Sequence, residues 1–350
     1  MKISRRSLLA YGGAATATFA ATQIFRPRLA KAQTGVVNLY SSRHYNTDDE
    51  LYETFTKLTG IRVNLLEGKA DELLERIRSE GANSPADVFM TVDAGRLWRA
   101  EEAGVFAPVR STEISNNIPE NLRHPDGLWF GFSKRARVLM YNKDNVNPSE
   151  LSTYEALAEP EWRNRILIRS SGNIYNQSLV AAMIESNGLE ETEEWARGLV
   201  RNFARPPEGN DRAQIEAAAA GLGDVAIANT YYLPRYAQDD DPAKQAVFDQ
   251  IGVFFPNQDG RGTHVNISGA GVVSSAPNPG PARQFLEYLS GPEAQAFFAQ
   301  GNNEYPAVDG ARLDPVVASF GTFKSDPINV AAYGENQAAA VQLMDRVGWE

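Results

Sequence analysis

Hydrophobic positions follow two different periods in the first third of the chain. The apolar runs at residues 36–40, 61–66 and 86–90 have the length and composition of strands. The segments between them, 48–58 and 70–79, repeat their apolar residues every three to four positions, as helices do. Strands that alternate with helices predict a parallel sheet with crossover helices. We therefore expect the beginning of the chain to form an α/β lobe.

Two long apolar runs in the rest of the chain predict strands that connect this lobe with a second one. Residues 129–143 are expected to pass into the second lobe, and the strand at 265–273 to return from it. Residues 33–135 and 264–350 would then form mainly the first lobe, and residues 136–263 mainly the second. Two α/β lobes joined by hinge strands predict a cleft that binds a ligand.

A single helix is predicted near the end of the chain. Residues 281–300 keep a helical spacing of apolar side chains over about five turns. We expect this helix to pack on the first lobe.

The first 32 residues differ from the rest in composition. They carry six basic and no acidic residues, with an arginine pair at 5–6 that precedes a charge-free run at 7–25. Small residues at 30–32 have the spacing of a signal-peptidase site. These features predict a twin-arginine signal and export to the periplasm, with the thylakoid lumen as an alternative. A membrane anchor is the other interpretation, but the run is short and poor in Leu and Ile.

Composition and charge exclude several classes of function. Without the six basic residues of the signal, the chain has 28 basic and 44 acidic residues, a net charge of −16. This balance disfavours nucleic acid and anionic membranes and is compatible with binding cations. The chain has no cysteine and three histidines, and it lacks a nucleophile elbow, a phosphate-binding loop and a dinucleotide fingerprint. We therefore do not expect an enzyme.

The stretch at 229–235 is the most informative one. Tyr231 and Tyr232 follow a short apolar run and precede Pro234, a residue tolerated in the first turn of a helix. The two phenols are therefore predicted to lie at a strand-to-helix corner. Neighbouring side chains on a regular strand point to opposite faces, and only such a corner lets them converge.

Polar side chains on three loops, each after a predicted strand, suggest a common site. They are four phenols, one imidazole and one guanidinium: His44 and Tyr45, Tyr175, and Tyr231 and Tyr232 with Arg235. Phenols, with a pKa of about 10, are poor acids and nucleophiles at neutral pH. Oxygen donors that can lose a proton suit a hard, highly charged cation such as Fe(III). Arg235 would offset surplus negative charge, and His44 could add a nitrogen donor. A cleft lined with tyrosines for a sugar or a peptide is the alternative.

Longer motifs around these residues resemble a known family. Residues 40–48, 67–74, 229–232 and 260–266 are similar to those of the cyanobacterial ferric-iron-binding proteins of the FutA/IdiA type. Members of that family are the solute-binding components of iron ABC importers and have a two-lobed, transferrin-like periplasmic binding-protein fold. The resemblance covers essentially the whole chain after the signal. It implies five metal ligands and one nearby cation: Tyr45, Tyr175, Tyr231 and Tyr232, with His44 optional, and Arg235 beside the metal.

The resemblance also implies a cargo and a partner. The protein would be a monomer that carries Fe(III), with Fe(II) as a possibility, to the membrane permease of an ABC importer. The alternatives are a binding protein for an organic solute and a protective iron-binding protein of photosynthetic membranes. His124 and His264 are expected to be structural. Arg43 and Arg261 are expected either to screen the site or bind an accompanying anion, or to lie on a lobe surface.

Overall fold

The computed structural model describes residues 35–43, 45 and 47–350. The predicted signal at 1–32 and the candidate ligand His44 lie outside the described residues. Within the described ranges, no helix has both the length and the apolar character that crossing a membrane requires.

The predicted alternation of strands and helices is confirmed in the first part of the described chain. The strands and helices are β1 Gly35–Ser41, α1 Asp48–Thr59, β2 Ile61–Glu67, α2 Ala70–Glu80, β3 Val88–Val92, α3 Ala94–Glu102, β4 Phe106–Ala107, α4 Thr112–Asn117 and β5 Phe130–Asn142. Strands β1, β2 and β3 are parallel, as expected from the helices that connect them. Strand β5 is the long strand that the apolar pattern predicted.

Helices predominate in the middle of the chain, and the second long strand follows them. The elements are β6 Ile166–Leu167, α5 Ile174–Asn187, α6 Leu189–Arg201, α7 Asp211–Ala219, β7 Val225–Asn229, α8 Pro234–Ala237, α9 Pro242–Gln250, β8 Ile251–Phe254, β9 Val265–Val273, α10 Pro279–Leu289, α11 Pro292–Ala296, β10 Tyr305–Pro306, α12 Pro315–Ser319, α13 Ala331–Glu335 and α14 Gln337–Arg346. Strand β9 has the bounds predicted for the returning strand.

The prediction of one helix over residues 281–300 is wrong. The segment divides into α10, α11 and a π-helical turn, Phe297–Gly301. Helix α10 ends at Leu289, and Pro292 begins α11 at a first-turn position where its missing N–H costs little. The apolar spacing continues across the break, so the hydrophobic pattern did not reveal it.

The strands form one mixed sheet in the order β2-β1-β3-β9-β5-β7-β6. Residues up to Ala136 in β5 pair with β9, whereas the pairing with β7 begins at Arg137. Strand β5 therefore changes its partner within a single residue step. Strand β9 runs antiparallel to both β3 and β5. These two long strands connect the first group of strands to the second.

The carboxy-terminal helices contact elements on both sides of this connection. Helix α13 packs on both α3 and α5, and α14 packs on α5. The segment after β9 thus touches both groups of elements, and the lobe boundaries at residues 136 and 264 stay a prediction.

The contact between α13 and α3 predicts a position that does not tolerate a larger residue. A Cβ atom at Gly334 would collide with Trp98, so Gly334→Ala should destabilise the protein by about 1–3 kcal/mol. We expect a fall in Tm of about 2–10 °C in a calorimetric scan. The control is Gly280→Ala, because no atom lies within 4 Å of its added Cβ. Equal Tm values for the two variants would contradict this packing.

Candidate metal centre

Local structure places each of the candidate phenols. Tyr45 lies in the loop between β1 and α1. Tyr175 lies in the first turn of α5, where the Asn173 side chain accepts a hydrogen bond from its backbone N–H at 3.2 Å. Tyr231 and Tyr232 form a 3₁₀ turn between β7 and α8. The prediction of a strand-to-helix corner is confirmed, and the two adjacent rings lie with their centroids 4.3 Å apart.

The four phenols come together although they are far apart in the sequence. The hydroxyl groups of Tyr231 and Tyr175 are 3.4 Å apart. The ring of Tyr45 meets the ring of Tyr231 edge-on, with the centroids 6.4 Å apart. Tyr231 is buried, and the other three phenols are partly exposed. Several oxygen donors thus lie within one small volume.

Guanidinium groups surround the phenols. Six arginines each have the central carbon within about 6 Å of a phenol ring: Arg43 over Tyr45, Arg135, Arg137 and Arg169 over Tyr175, Arg212 over Tyr232, and Arg235 over both Tyr45 and Tyr231. Arg235, expected beside the metal, lies next to two of the phenol rings. It lies 5.5 Å from the Tyr45 centroid and 5.6 Å from that of Tyr231. Guanidinium groups thus lie next to every one of the four phenols.

Arg135 is the most unusual of these cations. Its side chain is 2% exposed, and none of its three nitrogens has a hydrogen-bond partner among the described residues. The nearest carboxylate oxygen, Oδ2 of Asp93, lies 3.5 Å from Nη2. A buried and poorly paired guanidinium is costly unless negative charge lies nearby. Tyr175, whose ring lies 5.3 Å from the Arg135 guanidinium, can supply such charge when it ionises.

Arg137 lies two residues after Arg135 on β5 and, unlike Arg135, has several hydrogen-bond partners. Its guanidinium donates to Asp211, Asn229, Asn176 and the backbone oxygen of Ile227, at 2.7–3.2 Å. These bonds fix the end of β7, from which the tyrosine pair begins. Arg135 and Arg137 fall within the long strand predicted at 129–143 but were not among the predicted site residues. Three cationic residues, Lys134, Arg135 and Arg137, within a largely buried strand are the signal that could have indicated them.

Burial raises the pKa of Tyr45, Tyr231 and Tyr232. The pKa of Tyr45 and that of Tyr231 lie well above the usual value of 10, because burial disfavours the charged form and neighbouring Glu304 and Tyr175, respectively, add repulsion. Burial, with a contribution from Tyr175, raises the pKa of Tyr232 to about 12. Burial alone would lower the pKa of Arg135, but the facing Tyr175 and Asp93 raise it. A cation must therefore displace protons from these phenols in order to bind them.

Other candidate residues have structural partners. Arg43 is buried beneath Tyr45 rather than on a lobe surface. Arg261 pairs with Glu155 at 2.7 Å and Asp326 at 3.1 Å. His264 is buried against the ring of Tyr333.

The other described histidine, His124, pairs with a carboxylate. The imidazole of His124 contacts a carboxylate oxygen of Glu101 at 2.9 Å, away from the phenols. Across the described parts of the chain, no group of three or more histidine and carboxylate side chains is arranged to hold a metal. The phenol cluster is therefore the candidate centre.

Comparison with known proteins places the chain in a family. Residues 83–320 match the bacterial extracellular solute-binding proteins. The chain is 57% identical to iron uptake protein A2 of Synechocystis, over 100% of its own length and 99% of the relative. It is 60% identical to iron uptake protein A1 of the same organism, over 90% and 87% of the two chains. The chain belongs to the FutA iron uptake proteins within this family.

A solved structure of a FutA protein confirms the two-lobed fold. The FutA (IdiA) protein of Trichodesmium, in complex with iron and citrate ligands, is 64% identical and has a TM-score of 0.89, covering 90% of this chain and 100% of that one. The family resemblance inferred from the sequence motifs is therefore confirmed. The mixed α/β sheet with its two crossing strands is the periplasmic binding-protein fold.

The raised phenol pKa predicts how the stability of this FutA protein depends on pH. At pH values below 10, Tyr232 is protonated in both folded and unfolded chains. Between 10 and about 12 the unfolded chain loses the proton while the folded chain keeps it, so stability falls as pH rises. Urea unfolding of the metal-free protein should show that Tyr232→Phe removes part of this loss, on the order of 1–2 kcal/mol. An identical loss in both proteins would contradict the shift.

Proposed function

We propose that this protein captures ferric iron in the cleft between its lobes and delivers it to the membrane permease of an ABC importer. The observation that carries the proposal is the convergence of four phenols among six guanidinium groups. At 57–60% identity, the Synechocystis relatives are iron uptake proteins, and the Trichodesmium FutA structure contains iron and citrate. Their names support the same cargo for this chain.

The chemistry of the cluster favours Fe(III). Phenolate oxygens are hard, anionic donors, and a trivalent cation lowers the pKa of its ligands enough to displace their protons. A divalent cation does so less readily, so we propose Fe(III) as the working cargo. Four phenolates around Fe(III) leave one surplus negative charge. Arg135 and Arg235 lie close enough to the rings to offset it.

The proposed ligands come from both sides of the cleft. Tyr175, Tyr231 and Tyr232 belong to the second lobe in the proposed division, residues 136–263, and Tyr45 to the first, residues 33–135 and 264–350. We infer that the three phenols of the second lobe hold the metal first. Closure about β5 and β9 then adds Tyr45 and, beside it in the sequence, His44.

The proposal extends to location and partners. The arginine pair and apolar run of residues 1–32 support export by the twin-arginine route, to the periplasm or the thylakoid lumen. The chain would act as a monomer and would carry cargo without chemical turnover. The membrane permease would be its protein partner.

An absorption spectrum of the purified protein tests the cargo. Adding Fe(III)-citrate should produce an intense visible band from phenolate-to-iron charge transfer. Tyr231→Phe should weaken or shift the band, because it removes one phenolate. Tyr141→Phe is the matched control, since Tyr141 lies on β5 within the sheet and outside the phenol cluster. A wild-type protein that stays colourless and binds no iron would refute the proposal and leave a solute-binding protein for another cargo.

Replacing Tyr45 tests the order of binding. Tyr45→Phe should lower iron affinity by about 10-fold or more, in competition with citrate, and should leave the iron-loaded protein in a more open shape. Small-angle scattering of the loaded and metal-free forms would measure that shape. Full affinity together with a fully closed shape in the variant would contradict the role of Tyr45 in closure.

A further inference from the structure

Three consecutive polar residues are buried next to the phenol cluster. Asn302, Asn303 and Glu304 are 3%, 5% and 0% exposed. They follow the π-helical turn Phe297–Gly301 and precede β10, which pairs with β5. Buried polar residues need hydrogen-bond partners, and π-helical turns often occur at functional sites. The partners of these three residues indicate what the segment does.

Glu304 holds the base of the Tyr45 loop. Its Oε2 accepts a hydrogen bond from Nη2 of Arg43 at 3.0 Å, and its Oε1 accepts from the Ser268 hydroxyl of β9 at 3.2 Å. Arg43 comes two residues before Tyr45, and its guanidinium lies 4.6 Å from the centre of that ring. Glu304 therefore ties the arginine beneath Tyr45 to a central strand of the sheet.

Asn302 holds the other end of the same loop. Its side-chain amide donates to Oδ1 of Asp48, the first residue of α1, at 3.0 Å, and its oxygen accepts from the Thr47 hydroxyl. Asp48 also accepts from Nε of Arg43 at 2.9 Å. Both ends of the Tyr45 loop are thus bound to one buried ion cluster. Phe298, from the π-helical turn, packs on Arg43 with its ring centre 5.1 Å from the guanidinium.

Asn303 points to the opposite side of the cleft. Its side chain exchanges two hydrogen bonds with Gln238, at 3.2 and 3.4 Å. Gln238 ends helix α8, which follows the tyrosine pair and contains Arg235. Asn303 has φ of 59°, a left-handed conformation that asparagine tolerates better than most residues. A single tripeptide therefore contacts the loop of Tyr45 and the helix that follows Tyr231 and Tyr232.

We propose that Asn302-Asn303-Glu304 is a positioning segment that couples the two sides of the metal site. Glu304 and Asn302 hold the Tyr45 loop in its binding position before the metal arrives. Asn303 bonds with Gln238 across the cleft and slows the escape of bound metal. The role in metal binding rests on the iron function proposed above, whereas the hold on the loop is a property of the metal-free protein. Groups that orient metal ligands commonly contribute a large part of metal affinity.

Glu304→Gln tests the hold on the loop, because it removes the charge and keeps nearly the same shape. We expect iron affinity to fall about 10- to 100-fold in competition with citrate, because losing the hold on the Tyr45 loop outweighs removing the repulsion between Glu304 and the Tyr45 phenolate. In a Tyr45→Phe background the same change should cost little more, because Glu304 acts through Tyr45. A Glu304 that only stabilised the fold would give losses that add. The matched control is Glu155→Gln, a carboxylate that pairs with Arg261 at 2.7 Å and is expected to leave affinity unchanged.

Hydrogen exchange in the metal-free protein tests the same hold without iron. Exchange of the backbone amides of Arg43, Tyr45, Thr47 and Asp48 should rise in Glu304→Gln and in Asn302→Ala, which leaves the buried charges intact. It should not rise in Glu155→Gln. Unchanged exchange in the first two variants would overturn the proposal. Faster exchange in them, with a wild-type protein that binds no iron, would support the positioning role and refute the proposed cargo alone.

The Asn303–Gln238 pair is tested by the rate of iron release. Asn303→Gly removes the amide and still accepts the left-handed backbone, and Gln238→Ala removes its partner. Each variant should release iron to excess chelator about 5- to 10-fold faster, with an unchanged visible band, and the double variant should be no faster than the single ones. Gln245→Ala, an exposed glutamine on α9, is the control. Wild-type release rates in both single variants would overturn the proposed bridge.

Discussion

The buried charge of Arg135 is the constraint on which the site depends. A guanidinium without hydrogen-bond partners in the described part of the chain is costly, and so is ionising a buried phenol. A phenolate at Tyr175 would face Arg135 directly. Each of the two charges would therefore lower the free-energy cost of burying the other. With the proposed ligands, a hard trivalent cation would favour ionisation of the phenols and complete this charge balance.

The sheet topology places this charge balance beside the crossing strands. Arg135 and Arg137 lie on either side of Ala136, where β5 changes its partner from β9 to β7. Arg135 faces the phenols and approaches Asp93, at the end of β3, while Arg137 binds the end of β7. A rotation of the lobes about these strands would move the two arginines relative to each other. Closure as proposed above would thus be coupled to the electrostatics of the site through one strand.

Local chemistry explains what could be predicted from the sequence. Short-range hydrophobic patterns predicted the strands that the structure has at 130–142 and 265–273. The turn residues around Tyr231 and Tyr232 predicted the strand-to-helix corner. The place of Tyr45 and Tyr175 on polar loops after predicted strands made them candidates, and the motif resemblance implied that they are ligands. Their convergence depends on the whole fold. The contact between Arg43 and Glu304 spans 261 positions, and no local pattern indicates it. His44 remains a prediction because it lies outside the described residues.

The sequence indicated neither the break in the predicted helix over residues 281–300 nor the long-range contacts of residues 302–304. The two features are connected, because the break precedes the residues that make the contacts. Had the helix continued through residues 302–304, successive side chains would have turned by about 100° each around one axis. In the structure, Asn302 and Glu304 instead bond to the Tyr45 loop and β9, and Asn303 bonds to Gln238 beside α8. The π-helical turn and the left-handed Asn303 end the helix and direct the three side chains to these separate elements. Buried ion pairs such as Arg43–Glu304 rarely add net stability compared with apolar packing. Fixing the place of the loop that carries Tyr45 is a better account of why these charges are buried there.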